Sequence, residues 1–393
     1  MSSAELTKKG ILARAQLRLL LRGVPLLLAS AVFVSGARGQ QAGVLIGVVE
    51  ARAEEAQDFD SIHVPKYQTL WIAPDAHGQF SVVATITELI VPRRDGFWHV
   101  GVKQVCEFDA GTGEDGGNES IAQVIWAAPV GKAGDVEQQH PCTVHQTEDY
   151  APPFGRGPGD SKKISQCGFT LADIDFLSAE LISWREYTSQ SEDCEARGGR
   201  YNARYYVRRV DANEAVSFEK LFGAQAGAAY GKAAAVKPHD DNGEECGEEV
   251  SGRDDQWRIG RNAERWAAFV NQNAGYFGCS VDAPIRFRIP SALTGETAVL
   301  SDWKAFYAIE KELEDGFVSP TGDLAMVTTK TEIKLYEVRE KAPGKLLLTL
   351  PGRPIVMVQW ATGTHVQDWT AQLKRIAGGP LPGPVLRVKP ATK

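Results

Sequence analysis

Between Gly43 and about Val130 the apolar positions fall in short runs, rich in β-branched and aromatic side chains and bounded by Gly, Pro or Asp. Leu70-Trp71-Ile72, Phe80 to Ile86, Phe97 to Phe108 and Ile121 to Trp126 are such runs, and His77-Gly78 and Asp95-Gly96 supply turns. Branched and aromatic side chains pack well on a pleated surface, and Gly takes the backbone angles that tight turns demand. An antiparallel sheet is therefore predicted here. Leu70 to Pro74 is echoed at Ile125 to Pro129, a match too short to define a repeat.

Residues 131 to 166 are polar and contain Pro152-Pro153 and the run Gly155 to Gly159, which predicts a linker or long surface loop. Strand-like runs resume at Ile182 to Tyr187 and Tyr201 to Val210, around a polar turn from Ser191 to Arg200. Ser217 to Val236 is predicted helical: Ser217 can cap it, Phe218, Leu221 and Phe222 recur at helical spacing, and Gly223, Gly227 and Gly231 weaken it. Trp257 to Ile259, Trp266 to Val270 and Ile285 to Ile289 read as strands; Glu264 to Asn271 fits a helix equally, and periodicity does not decide.

Asp302 to Glu314 is predicted to be a helix with Trp303, Phe306, Tyr307 and Leu313 on its buried face. After the turn Ser319 to Gly322, the runs Leu324 to Val327, Ile333 to Tyr336, Leu346 to Leu350 and Ile355 to Trp360 are predicted to complete a four-stranded meander. The phrase Ser319 to Val327 resembles one blade of a β-propeller. One blade cannot close a ring, so an ordinary meander is the expectation. The Gly/Pro-rich stretch from Ala377 onward is expected to be a disordered tail. The fold class expected is α+β and β-rich, with antiparallel sheets, a few helices and disulfides. Its segments are a β-rich domain (40–150), an α+β domain (167–300), a helix with a meander (301–376) and the tail (377–393).

The N-terminus changes how the rest is read. Lys8, Lys9, Arg14, Arg18 and Arg22 precede an uncharged stretch from Gly23 to Val34, and Ala37-Arg38-Gly39 places small residues at −3 and −1 of a cut before Gln40. A basic region, a short apolar core and a small-residue cleavage site make a secretory signal peptide, with a core too short to span a bilayer. Residues 1–39 are thus expected to be removed, leaving a periplasmic or secreted protein without a transmembrane anchor. Removal of six basic side chains and Glu5 moves the net charge from −7 to −12. An acidic surface repels phosphate backbones, so nucleic acid is not an expected partner.

All six cysteines, Cys106, Cys142, Cys167, Cys194, Cys246 and Cys279, follow the expected cut. An even number in an exported chain predicts disulfides, and no C-x-x-C pair points to a redox or zinc motif. Six cysteines allow 15 connectivities; pairing of neighbours, Cys106 with Cys142, Cys167 with Cys194 and Cys246 with Cys279, is the working expectation.

Phe176 to Ser183, the Gly198-Gly199 turn, and Val210-Asp211 leading to Val216 to Gly223 resemble the RsiV/PdaC-type extracytoplasmic domain over about residues 167–295. In that family a strand precedes a Gly-Gly turn and a short helix, and the domain occurs in anti-sigma factors that sense lysozyme and beside cell-wall deacetylase domains. This chain has Arg200 where the family has Ala-His after the Gly-Gly turn, and no ligand residue is carried over.

Two clusters have metal-ligand chemistry. His140 and His145 flank Cys142, a set suited to zinc or copper but without a standard spacing, and a Cys142 in a disulfide could not ligate as a thiolate. Asp240, Asn242 and Glu244 gather hard oxygens beside Gly243, as calcium prefers, but the downstream ligands of an EF-hand loop are not evident. Gly111 to Gly116 matches G-x-G-x-x-G; Glu114 and Asp115 sit where a pyrophosphate would, and a strand-like run follows instead of a helix. No G-x-S-x-G, S-x-x-K or H-E-x-x-H occurs. Trp71, Trp98 and Trp126 alternate as core residues do, rather than as a sugar-stacking platform.

These features point to a non-enzymatic, exported binding or interaction protein of the cell envelope, with an envelope protein or cell-wall glycan as partner and no required cofactor. The alternatives are an envelope-directed hydrolase whose catalytic residues cannot be named from sequence, and a calcium-stabilised structural protein.

Overall fold

A computed structural model describes residues 42–52, 64–109, 118–132, 134–138, 168–190, 201–237, 256–262, 265–273, 280–295, 303–379 and 385–388. The chain divides into residues 1–39 and a compact unit of residues 40–393, which holds every element named here. It is β-rich, built of small and mostly antiparallel sheets with short helices between them.

The unit opens with β1 (Ala42–Ala51), β2 (Lys66–Pro74) and β3 (Phe80–Ile86), an antiparallel set with β1 and β2 paired from Val44↔Ile72 onward. Every residue from Ala42 to Val49 is buried. Alternation sends Val44, Ile46 and Val48 into one core and Leu45 and Val49 into another. Gly43 is required at its position because the Trp71 ring lies where a Cβ would stand.

Next come β4 (Leu89–Arg93), β5 (Gly96–Asp109) and β6 (Asn118–Pro129), an antiparallel meander, then the short β7 (Asp135–Gln138). A second meander is β8 (Gly168–Leu177), β9 (Leu181–Gln190) and β10 (Tyr201–Arg209). The two meanders join as one six-stranded sheet through β6 and β8, which run parallel and pair only at Ile121↔Phe169 and Ala122↔Thr170.

The helix expected over Ser217 to Val236 forms as two pieces, α1 (Phe218–Phe222) and α2 (Ala224–Ala234). Ser217 caps the first as expected, its Oγ accepting from the Lys220 N–H at 3.3 Å. Gly223 breaks it, at φ 87°, an angle that glycine adopts without strain. Of the segment Glu264 to Asn271, the described part from Arg265 is strand: β11 (Trp257–Asn262), β12 (Arg265–Asn273) and β13 (Ser280–Pro284) form a three-stranded sheet. Ile285 to Ile289, expected as a strand, follows β13 as irregular chain leading into α3 (Ser291–Thr294).

Of the helix expected over Asp302 to Glu314, α4 (Lys304–Ile309) is helical. It stops where Glu310 leaves helical angles and turns its carboxylate to partners in the next sheet. That sheet is the meander β14 (Asp315–Val318), β15 (Leu324–Thr328), β16 (Glu332–Arg339) and β17 (Ala342–Pro351). Its last hairpin turns on Glu340 and Lys341, both at positive φ, the geometry that matches strand twist in a two-residue loop. The four-stranded meander thus exists with a different membership. Its first strand is β14, whereas β18 (Ile355–Thr362) leaves it and pairs antiparallel with β1, from Ala42↔Thr362 to Val48↔Ile355. α5 (Thr364–Ala377) follows, and within the stretch expected as a tail β19 (Val385–Val388) runs parallel to β7.

One core lies between β1–β2 and the six-stranded sheet, with Leu45, Trp71, Ile90, Ile174 and Trp184, and α5 closes it through Val366 and Leu373. A second lies on the opposite face of β1 and joins Val44 and Ile46 to Phe218, Trp257 and Met326. A third, with Phe306, Val327, Tyr336 and Val338, sits between α4 and the β14–β17 sheet. Full burial of each large apolar side chain is worth about 1.5–3 kcal/mol.

Candidate functional site

Polar side chains are concentrated where sheets meet. Beyond Ala122↔Thr170 the ladder between β6 and β8 stops, and buried N–H groups of β8 must find other acceptors. The Ala172 N–H donates to Gln123 Oε1 at 3.0 Å, and the Ile174 N–H donates to Tyr67 Oη, from β2, at 2.7 Å. Asp173, fully buried, lies between them in sequence. Burial, and then the charge of Asp173, push the Tyr67 phenol well above its ordinary value, so it stays protonated.

Arg208 of β10 is 3 % exposed and reaches the Ile125 carbonyl at 3.2 Å, the Ala212 carbonyl and Asn213 Oδ1, with the Trp184 ring 6.0 Å away. Burial pulls its guanidinium down to about 10, which still leaves it charged at neutral pH.

A second polar strip gathers side chains from three sheets. Asp175 is the bulged residue of β8, skipped between the pairs Ile174↔Trp184 and Phe176↔Ser183, and a bulge re-aims its side chain. Its Oδ1 lies 3.2 Å from Nη1 of Arg52, just past β1, and 3.3 Å from Nε of Arg185 on β9. Arg258 of β11 pairs with Asp282 of β13 and packs over the rings of Phe269 at 4.6 Å and Tyr205 at 5.5 Å. Gly260 makes room for it, since a Cβ there would collide with the Arg258 guanidinium. Burial and then Asp282 push the Tyr205 phenol up to about 12. Ser183 Oγ accepts from the Ile259 N–H at 3.0 Å, which docks the edge of the β11–β13 sheet on β9.

Arg261 pairs with Asp315 and covers Trp266 and Phe317 at 4.8 and 4.3 Å. Beside these rings lies a cavity of about 10 Å³, lined also by Thr294, Val358 and Trp360, enough for one water at most. On the outer sheet, Lys334 donates to both oxygens of Glu310 at 3.0 and 2.9 Å, and Tyr336 donates to the same carboxylate. Burial opposes the charge of Glu310, but these bonds outweigh it and hold the carboxyl below its usual range.

The inter-sheet groups are guanidiniums packed against aromatic faces and paired with carboxylates or carbonyls of the protein itself.

His140, His145, Asp240, Asn242, Glu244 and the run Gly111 to Gly116 lie outside the described residues, as do Cys142, Cys167, Cys194, Cys246 and Cys279 and the side chain of Cys106, whose backbone is in β5. Among the described residues no group of three or more His, Cys, Asp or Glu is placed to hold a metal. Trp71 and Trp126 are core residues, and Trp98 packs at the edge of a core under Arg93. The inter-sheet residues Arg52, Asp175, Arg185, Arg208 and Arg258 were not singled out in the sequence. Their one signal is a charged side chain inside or beside a strand-like run.

No family model matches the chain, and no curated protein matches it. Among solved structures it is similar to a Bacteroides uniformis protein named provisionally as a 6-phosphogluconolactonase, at 10% identity over 82% of this chain and 99% of that one, with a TM-score of 0.21. A superposition that poor carries no argument about fold or function.

Proposed function

We propose that the chain is an exported, extracytoplasmic binding or interaction protein of the cell envelope, without catalytic activity, that works through its surface rather than a deep pocket. The observation that carries this reading is the coincidence of two boundaries. The compact unit begins at Gln40, the residue at which signal cleavage is expected, and β1 begins two residues later as a strand buried on both faces. A cut at that position would leave residues 40–393 whole.

The same reading makes the six cysteines three disulfides. It makes the successive small sheets, with β18 returning to β1, a propeller-like arrangement in which the first strand shares a sheet with one from near the end of the chain. The resemblance of residues 167–295 to a domain that meets wall-directed enzymes supports an envelope protein or wall glycan as the partner. Among the described residues no helix is long and apolar enough to cross a membrane.

Mass spectrometry of the native protein tests the export half: the N-terminus is expected at Gln40, with no alkylatable thiol. A full-length N-terminus or free thiols overturn it. Pull-down on peptidoglycan and on solubilised envelope proteins tests the binding half, and retention by neither overturns that.

A further inference from the structure

The last strand of the chain is held by a short ladder that stands apart from the other sheets. β19 pairs with β7 over four positions, Val385↔Asp135 to Val388↔Gln138, and the two strands form a sheet of their own. Parallel pairs are slightly less stable per residue than antiparallel ones, and a two-stranded sheet is marginal without other support. The ladder has little room to lengthen, because Pro384 and Pro390 bound the segment and proline donates no N–H. Gly378 and Gly379 follow the end of α5, and glycine pivots at low steric cost.

What β19 secures is β7, and β7 adjoins a particular face of the first meander. Among the described residues β7 has no other ladder. Gly134, the residue before it, is pressed against β6: a Cβ there would stand 2.6 Å from the Trp126 ring and 3.4 Å from the Ala128 methyl group. Ala128 pairs with His99 of β5, so the two share a face, and the His99 ring meets Trp126 edge-on at 4.3 Å. The chain entering β7 thus lies over Trp126 and beside His99, which are 5 % and 1 % exposed.

The covered face carries a polar group that is not fully paired. His99 Nε2 pairs with Glu88, whereas Nδ1 has no hydrogen-bond partner among the described residues. A buried ring nitrogen without a partner is unfavourable, and water satisfies it once the face opens.

We propose that β19 is a C-terminal latch. Docked, it holds β7 over the Trp126 and His99 face of β5 and β6. Undocked, it lets β7 lift and opens that face to solvent, while α5, β1 and β18 keep their places. The latch is a conformational device that stands apart from the binding-protein reading.

The first test needs no variant. In the purified protein, amide hydrogen exchange of Val136 to Gln138 and Val385 to Val388 is expected to be at least tenfold faster than that of β1, at rates unchanged by low urea, as local opening requires. The second test uses Leu386→Pro/Arg387→Pro. Successive N–H groups of a strand point to opposite edges, so two adjacent prolines remove the one that faces β7. The variant is expected to exchange its β7 amides at least tenfold faster still. Diethyl pyrocarbonate, located by peptide mass spectrometry, should modify its His99 at least tenfold faster than in wild type, with unchanged thermal unfolding.

Exchange of β7 and β19 at the urea-dependent rate of β1 overturns the proposal, since β19 would then be an integral strand. So does a variant whose β7 amides are not accelerated, which would mean β7 is held without β19. Fast β7 exchange with unaltered His99 reactivity also overturns it, because the face would stay closed without its latch, as does a variant that loses the β1 ladder as well.

Discussion

The chain joins strands across long sequence distances in two contrasting ways. At the β1–β18 junction the backbone does the joining: a long antiparallel ladder, apolar on both faces, with Trp71 packed over Gly43 and tied to Thr370 Oγ1 at 2.9 Å. At the β6–β8 junction the ladder gives out after two pairs, and side chains from three other positions take over: Gln123, Tyr67 and Arg208. A ladder tolerates any side chain that packs. A stitched seam depends on particular functional groups, because each buried N–H or C=O has one acceptor or donor to lose.

The largest test of that contrast is Trp71→Ala. Removing a fully buried indole between β1 and α5 should cost about 3–5 kcal/mol, read by urea denaturation of the mature protein. Next is Arg208→Met, which keeps much of the volume but strands the Ile125 and Ala212 carbonyls; about 2–3 kcal/mol is expected. Arg208→Lys should recover only part of this, because an ammonium cannot span both acceptors as a planar guanidinium does. If lysine restores full stability, the seam is held by charge and not by geometry.

Gln123→Leu should cost about 1–2 kcal/mol and speed hydrogen exchange at the Ala172 amide while leaving the amides of β1 unchanged. Exchange that rises equally in both regions would mean the two junctions open together. The smallest effect is alkaline. The Tyr205 and Tyr336 phenols are raised to about 12 from about 10 in an unfolded chain. A raised folded value means the stability is fully present below pH ~10 and is lost as pH climbs through about 12. Tyr205→Phe should flatten part of that fall in a pH series of unfolding midpoints, and an unchanged slope would remove Tyr205 from its cause.

The contrast also explains what could be read from the sequence. Runs such as Phe80 to Ile86 and Trp257 to Ile259 announce strands because alternation and branched side chains are local properties. The Ser217 cap was legible for the same reason, and Gly223 proved strong enough to split the helix it was expected only to weaken.

Partner choice is not local. Ile355 to Trp360 reads as a strand, but it joins β1 and not the meander, because nothing in its own residues distinguishes β17 from β1 as a neighbour. The inter-sheet polar side chains carry no local signal: Asp175 owes its direction to a bulge, and Arg208 owes its role to a carbonyl 83 positions earlier in the chain. The candidate metal ligands stand on a density of donors in polar turns that lie outside the described residues, whereas the inter-sheet polar groups lie singly in or beside strands.

The pairing of β1 with β18 also sets a timetable. A chain that emerges N-terminus first produces β1 early, with apolar side chains on both faces, and makes one of its two flanking strands almost last. Until Ile355 to Thr362 appears, β1 has β2 on one side and an open edge on the other, and one of its faces lacks Val358. Contacts of such long range form late and slowly. Closure is therefore governed by completion of the chain, and a fragment stopped before β18 would keep that sticky first strand exposed to whatever guards unfinished chains.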